Sequence, residues 1–549
     1  MARRWNRIVV VAAAFVISGC SVLIGLEDDY EPASEAPEAS TSVETGTTNE
    51  TGTSDGGVDA PPDGLPATCI NQIKDGTETD IDCGGSACLP CANQKACAVD
   101  RDCVSGACDG GCKPWLKSFG AQGASAGDGN AVAVGASGDI AICGTATVAV
   151  DFGGGSLAGR GLSDVVVAKF ASNGTLTWAR RFGGADDELC SSVAMDAAGN
   201  VVISGTYYDG PTFDLGDGAL PKVSGSEAFV AKLTSATGAP LWAIGIATAD
   251  VDRAYGVAVD PTGDVLATGQ IGGALSIGGN TIGAVNTDDI FVVKLAGASG
   301  VATWAKSYGS VPGSGGANGD DVGRAVATDA LGNVFVTGSF RGATLTIGGT
   351  TLTAAAEHDA FVFALSGAGA PLWATRYGGA STFITGGPEE GFGIAAIPGG
   401  GVFVTGRVTT SGAGEAFVAK LASDGGLVWD TVRGGTQADV GNGVAVDTAG
   451  NALVIGRFNS SSITFAPVAP LVNPNPTGNR GDVFLVKLAA SDGKVLFAER
   501  YGGSDFDIGF GVASRRGNSI IVGTAAPGMT VRGLPVTEQI FLGSLGPLP

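Results

Sequence analysis

Histidine is almost missing: His358 is the one copy in 549 residues. A Ser-His-Asp triad cannot be built away from that residue, and an H-E-x-x-H metal site cannot be built at all. Positive charge is scarce as well. Lys and Arg total 31 against 54 Asp and Glu, a net charge of −23. A chain so acidic has no basic face for phosphate backbones, which excludes nucleic acid as a partner. Charged residues of both signs make up only 15%. No P-loop motif occurs. What is abundant is Gly, 92 residues, with 44% hydrophobic content. That content excludes wholesale disorder, and glycines without a three-residue period exclude collagen. Many Val, Ile, Phe and Thr between glycine-rich turns predict an all-β chain.

The N-terminus reads as an address. Arg3, Arg4 and Arg7 precede a ten-residue apolar run, Ile8–Ile17, too short to span a bilayer as a helix. The run ends Ile17-Ser18-Gly19-Cys20, which resembles the bacterial lipobox. The resemblance implies that residues 1–19 are a lipoprotein signal peptide and that Cys20 is acylated. With Ser21 and not Asp next, it implies sorting to the outer membrane, with exposure at the cell surface as one outcome. Residues 20–66 then carry eleven acidic residues and no Lys or Arg. Such a segment buries too little apolar surface to offset chain entropy and is expected to be a disordered tether.

Residues 67–114 form a cysteine-rich module. Cys69, Cys83, Cys88, Cys91, Cys97, Cys103, Cys108 and Cys112 fall within it, almost without aliphatic residues. An exported segment of that kind is held by cross-links, and eight cysteines suit four disulfides of undetermined connectivity. Zinc is the rival: Cys88 and Cys91 have C-x-x-C spacing, but neither a second such pair nor a histidine follows. The runs Glu78-Thr-Asp-Ile-Asp-Cys83 and Asp102-Cys-Val-Ser-Gly-Ala-Cys108 resemble cysteine-rich repeats of myxobacterial surface proteins.

From 115 to 549 the chain repeats itself. A landmark aromatic returns as Trp115, Trp178, Trp242, Trp304, Trp373, Trp429 and Phe497. Each unit then brings a short strand, a turn such as Asp196-Ala-Ala-Gly-Asn200, a second strand, and a closing strand such as Glu227–Leu233. The turn aspartates bond nearby amides, and Gly or Asn accepts positive φ. Closing strands are apolar on both faces and need neighbours on both sides. Radial stacking supplies them. The region opens on a landmark strand and stops after a closing strand, so the expected fold is a seven-bladed β-propeller in which Trp115 completes the last blade. The units resemble the bacterial β-propeller repeat family, on the core Asp-x-x-Gly-Asn-x-x-x-x-Gly. Thr237-Gly238-Ala-Pro-Leu-Trp242 is similar to the docking motif of quinoprotein-type propellers, one of which is an outer-membrane assembly factor.

One acid recurs beyond what turns require. Glu188, Asp252, Asp321, Glu389, Asp439 and Asp507 stand eight residues before each turn, and Asp128 is displaced by one. Placed at a channel mouth they would form a negative ring suited to calcium or a basic ligand. The alternative is that each caps its inner strand. A second acid opens each closing strand (Asp164, Glu227, Asp289, Asp359, Glu415, Asp482), with Lys five residues later in most units. Odd spacing puts the two on opposite faces, so pairing is expected between blades.

No catalytic residue is assigned. The expected role is a monomeric, non-enzymatic cell-envelope lipoprotein that binds or scaffolds an envelope protein or glycan, without a cofactor unless calcium fills the ring. One alternative is a polysaccharide lyase or hydrolase using paired acids such as Asp186-Asp187 or Asp320-Asp321. Another is an assembly factor of the quinoprotein-like kind. Long insertions, Val311–Gly319 and Ala466–Arg480, mark blades four and six as places where recognition would concentrate.

Overall fold

The computed structural model describes residues 72–548, apart from short stretches, the longest being 121–126, 209–212, 284–287, 313–319 and 378–388. The signal segment, Cys20, the acidic linker, Cys69 and most of the blade-four insertion lie outside the described residues.

Seven four-stranded antiparallel sheets make up the repeat region. In blade one the strands run Gly127–Val134, Ile140–Ala146, Asp164–Phe170 and Leu176–Phe182 in spatial order. Five more sheets repeat that order, with inner strands at Glu188–Met195, Arg253–Val259, Val322–Thr328, Glu390–Ala396 and Asp439–Val446. The seventh takes Ile508–Arg515, Asn518–Thr524 and Ile540–Ser544 from the end of the chain and Trp115–Phe119 from its beginning. That junction pairs Trp115 with Ser544 and Ser118 with Phe541. Each inner strand touches the next around a circle, and the seventh touches the first. The chain is a seven-bladed β-propeller.

Its core lies between blades. Seven apolar clusters each draw on two neighbouring sheets. The cluster that seals the ring joins Val132, Ile142 and Val166 of blade one to Ala513, Val522, Leu542 and Phe119 of blade seven. Strands buried on both faces need this, and the inner three strands of a blade read as near-continuous apolar runs for that reason.

Landmark tryptophans lock one blade to the next. The indole N–H of Trp178 donates to the Ser235 carbonyl at 2.9 Å, Trp242 to Gly297 at 3.1 Å and Trp373 to Ser423 at 2.8 Å. Each acceptor sits in the turn before the next blade's outer strand. The ring lies on the glycine of that turn: a Cβ on Gly238 would stand 2.5 Å from Trp178, and its φ of +67° already favours glycine. The Gly-x-x-x-Trp spacing is thus receiver and donor of successive clasps. Blade six has Phe497 at the landmark position, facing blade seven, whose outer strand is Trp115–Phe119 and is not preceded by such a turn. Lys487 Nζ reaches the Leu548 carbonyl instead, at 3.0 Å, and Arg532 covers the Phe497 ring. Trp115 closes the circuit onto the Ser172 carbonyl of blade one at 3.1 Å.

The closing-strand lysines do not pair with closing-strand acids between blades. Lys232 binds the turn aspartate Asp196 of its own blade at 2.8 Å, and Lys294 binds Asp260 at 2.7 Å. Lys232 also donates to Gly297 of the next blade at 2.9 Å, beside the Trp242 indole. The acids turn the other way: Asp164, Asp359 and Asp482 bind Arg181, Arg376 and Arg500 of the adjacent outer strand. Sequence spacing identified the opposite faces but not the turn that supplies the partner.

In the small module, bridges join Cys83 to Cys91, Cys97 to Cys108 and Cys103 to Cys112, and Cys88 is also disulfide-bonded. The sulfurs of Cys97, Cys103 and Cys112 cluster within 4.8 Å, but all three are consumed in bridges and none is a thiolate ligand. The module rests on the ring's seam: the Ser105 carbonyl accepts from Trp115 Nε1 at 3.0 Å and from Ser544 Oγ at 3.3 Å. A further bridge, Cys143–Cys190, ties the second strand of blade one to the inner strand of blade two. It spans 47 residues of sequence, and chain-entropy estimates put such a cross-link at about 4 kcal/mol. Replacing both cysteines with serine should lower the unfolding free energy by an amount of that order or less, and the midpoint with it, read by denaturant titration under oxidising conditions. An unchanged midpoint would show that the bridge does not form.

Candidate functional site

Antiparallel blades have two unlike faces. Turns joining first to second and third to fourth strands emerge on one face and are tight. The opposite face carries the connections between second and third strands and those between blades, including the small hairpins such as Thr344–Ile347 with Thr350–Thr353. The described part of the insertion Ala466–Arg480 and the recurrent acids belong to this loop face.

The acids sit where each blade begins. Glu188, Asp252, Asp321, Glu389, Asp439 and Asp507 are at most 1% exposed. Their own amides stitch the ring: Asp252 donates to Ser226, Asp321 to Asp288 and Asp507 to Gly481, each a carbonyl of the preceding blade. Their carboxylates staple two loops of the same end. Asp507 accepts from the Gly503 and Ala526 amides, both at 2.8 Å. Asp439 accepts from Gly435, Asn459 and Ser460 amides and from Ser460 Oγ at 2.7 Å. Asp252 takes Thr248 and Gly272, and Asp321 takes Ser310 and Arg341. The capping arrangement is the one displayed. Among the described residues no three carboxylates come close enough to share one ion. Asp128 departs from its siblings. It is exposed to solvent and accepts from Thr524 Oγ1 of blade seven at 2.9 Å.

Sequence reasoning missed what stands beside the acids. Every inner strand carries a β-bulge two to three residues from its start. The unpaired residues are Asn130, Ser191, Tyr255, Arg324, Phe392, Asn442 and Phe510. A bulge re-aims a side chain. Here Arg324 is laid across the Tyr255 ring at 4.6 Å and over the Phe392 ring at 5.9 Å, so the bulged residues of blades three to five touch. Glu390, at the start of blade five, takes Arg407 at 2.7 Å and Arg324 at 3.8 Å. Arg457 of blade six follows; burial and the neighbouring Arg407 push its guanidinium below the usual arginine range. On the other side Tyr255 donates to Gln270, which donates to Asp288. The mouth is therefore not a uniform negative funnel: guanidinium groups occupy blades four to six. The signal available in sequence was Arg at positions where other repeats have Asn, Ser, Thr, Gln, Tyr or Phe.

The alternative catalytic pairs are not arranged as such. Asp320 is exposed while Asp321 is buried in its amide cradle. Asp186 is exposed, and its carbonyl holds the Leu162 and Ser163 amides. His358 is half-buried in a loop, where its carbonyl accepts from the Glu389 amide at 2.9 Å.

No family model matches the chain. One curated relative, an uncharacterised WD repeat-containing protein of Acanthamoeba polyphaga mimivirus, is 21% identical over 381 residues, which is 56% of this chain and 27% of that protein. The chain thus spans about a quarter of that relative's length. Among solved structures, quinohemoprotein alcohol dehydrogenase of Comamonas testosteroni aligns at 11% identity and a TM-score of 0.35, over 80% of this chain and 77% of that one. BamB of Moraxella catarrhalis aligns at 10% and 0.31, over 78% and 99%. The Pan2 WD40 domain of Neurospora crassa aligns at 10% and 0.33, over 65% and 89%. These scores are low, and the propeller assignment rests on the strand topology.

Burial pushes the Asp252 and Asp321 carboxyls up to about 6 and Asp507 up to about 7, against the amide hydrogen bonds that favour ionisation. An acid raised in the folded state keeps its proton longer there than in the unfolded chain. Stability from this source is full at low pH and falls as pH rises from about 4 through about 7. The turn aspartates run opposite. Despite burial, bonds from Lys232 and Asn200 hold Asp196 below the ordinary value, so its contribution is lost only in stronger acid. The thermal midpoint should decline from about pH 5 to about pH 7.5, and Asp507→Asn should flatten the slope. A midpoint that climbs over this range would contradict the reading.

Proposed function

We propose that the chain is a lipid-anchored protein of the bacterial outer membrane that binds or scaffolds an envelope partner through the loop face of its propeller, without catalysing a reaction. The observation that carries this reading is the state of the recurrent carboxylates. They are buried, and those of Asp252, Asp321, Asp439 and Asp507 hold loop amides. An acid or base must reach a substrate atom; these acids instead fix the loops that a partner would meet. Rigid blades that present irregular loops on one side are a recognition scaffold. The lipobox-like Ile17-Ser18-Gly19-Cys20 and the acidic linker support tethering to a membrane. The tryptophan docking shared with quinoprotein-type propellers locks blades together, and that role does not favour an assembly-factor reading over any other partner.

A photo-reactive residue at Val311 or Val472, exposed on the loop face at 59% and 58%, should capture a discrete adduct in intact cells. The same probe at Leu331, exposed at 85% on the tight-turn face, should not. Capture from Leu331 alone, or turnover of a polysaccharide by the purified protein, would overturn the proposal.

A further inference from the structure

We infer that the mouth of the channel in blades four to six is a binding site for the carboxylates of an acidic peptide segment in a protein partner. The inference rests on the binding role proposed above and names the chemistry of its partner.

Three guanidinium groups meet here: Arg324 from an inner-strand bulge, and Arg407 and Arg457 from the ends of second strands. Glu390 is the carboxylate that two of them share by ion pair, at 2.7 Å to Arg407 and 3.8 Å to Arg324. Arg457 lies over the Phe506 ring at 5.6 Å and near Asp439. The Nε atoms of Arg324 and Arg407 are buried and lack a hydrogen-bond partner among the described residues. A guanidinium has five N–H donors in a fixed fork, and leaving buried donors unmade is costly.

The fold does not require this. At the position of Arg324 the other blades have Asn130, Ser191, Tyr255, Phe392, Asn442 and Phe510. At that of Arg407 and Arg457 they have Thr145, Thr206, Gln270, Ser339 and Thr524. Neutral residues satisfy the same backbone. Positive charge has been gathered in one sector of an otherwise acidic protein, where it would both attract and orient a negative ligand.

Arginine forks suit carboxylates, and Glu390 shows the fork in use. A glycan would need an open aromatic face to stack on. Tyr255 and Phe392 are 6% and 0% exposed, and Arg324 lies over both. That leaves a surface of donors along three blades, which fits successive carboxylates on a peptide chain better than sugar rings.

The test uses the mature folded protein and a fluorescent oligoglutamate peptide, followed by anisotropy at low and physiological salt. Polygalacturonate is the competing probe. The wild type should bind the peptide, less tightly as salt is raised. Arg407→Gln and Arg324→Gln should each weaken binding about tenfold or more, since each removes a buried charge partner. Arg407→Lys should recover only part, because it restores charge without the fork. Lys494→Gln on the tight-turn face removes the same charge and should change nothing. Thermal midpoints of all variants verify folding. No binding at low salt, equal loss in Lys494→Gln, or preference for polygalacturonate overturns the inference. If the peptide fails while the Val311 probe still captures a partner, the binding role stands and only the acidic chemistry falls.

Discussion

Everything in the molecule depends on the ring being shut. Each blade exposes two apolar faces and can bury them only between neighbours, so an open stack would leave two bare sheets. The chain meets this by splitting its last blade: Trp115–Phe119 pairs with Ile540–Ser544, more than four hundred residues away. Three kinds of contact then act at one seam. The apolar cluster of blades seven and one fills it. The Trp115 indole clasps the first blade, and the disulfide-rich module caps it through the Ser105 carbonyl. The cost is the entropy of closing a very long loop, which grows only slowly with length.

A propeller closed this way separates duties by face. The tight-turn face is occupied by structure: turn aspartates with their lysines, and glycines that receive tryptophans. The loop face is where sequence varies between blades, and there the buried acids hold loops in place. Function is expected to sit where the repeat is broken, and the strongest break is the arginine cluster of blades four to six.

Much of this was legible beforehand, because it recurs. Seven aromatic landmarks, seven closing strands and the mismatch at the two ends determine blade number and closure without any three-dimensional information. The clasp was half legible: Gly-x-x-x-Trp is visible in sequence, but that the glycine serves the preceding blade and the tryptophan the following one is a property of the ring. Phe497 shows the same limit, since its departure from Trp makes sense only once the missing turn of blade seven is seen. The acid ring was found by periodicity, yet periodicity cannot say whether a carboxylate faces a channel or its own loop. The arginines were missed because they are not periodic: Arg324, Arg407 and Arg457 occupy different strands and converge only through the bulge and the blade order. Cys143 and Cys190 were likewise silent, being 47 residues apart in different repeats.

The measurement closest to the central claim is amide hydrogen exchange across the seam. Trp115–Phe119 and Ile540–Ser544 should be protected together, as one cooperative unit, and Trp115→Ala should release both. Exchange of Trp115–Phe119 at the rate of a free chain, with Ile540–Ser544 still protected, would mean that the circle is not closed by the beginning of the chain.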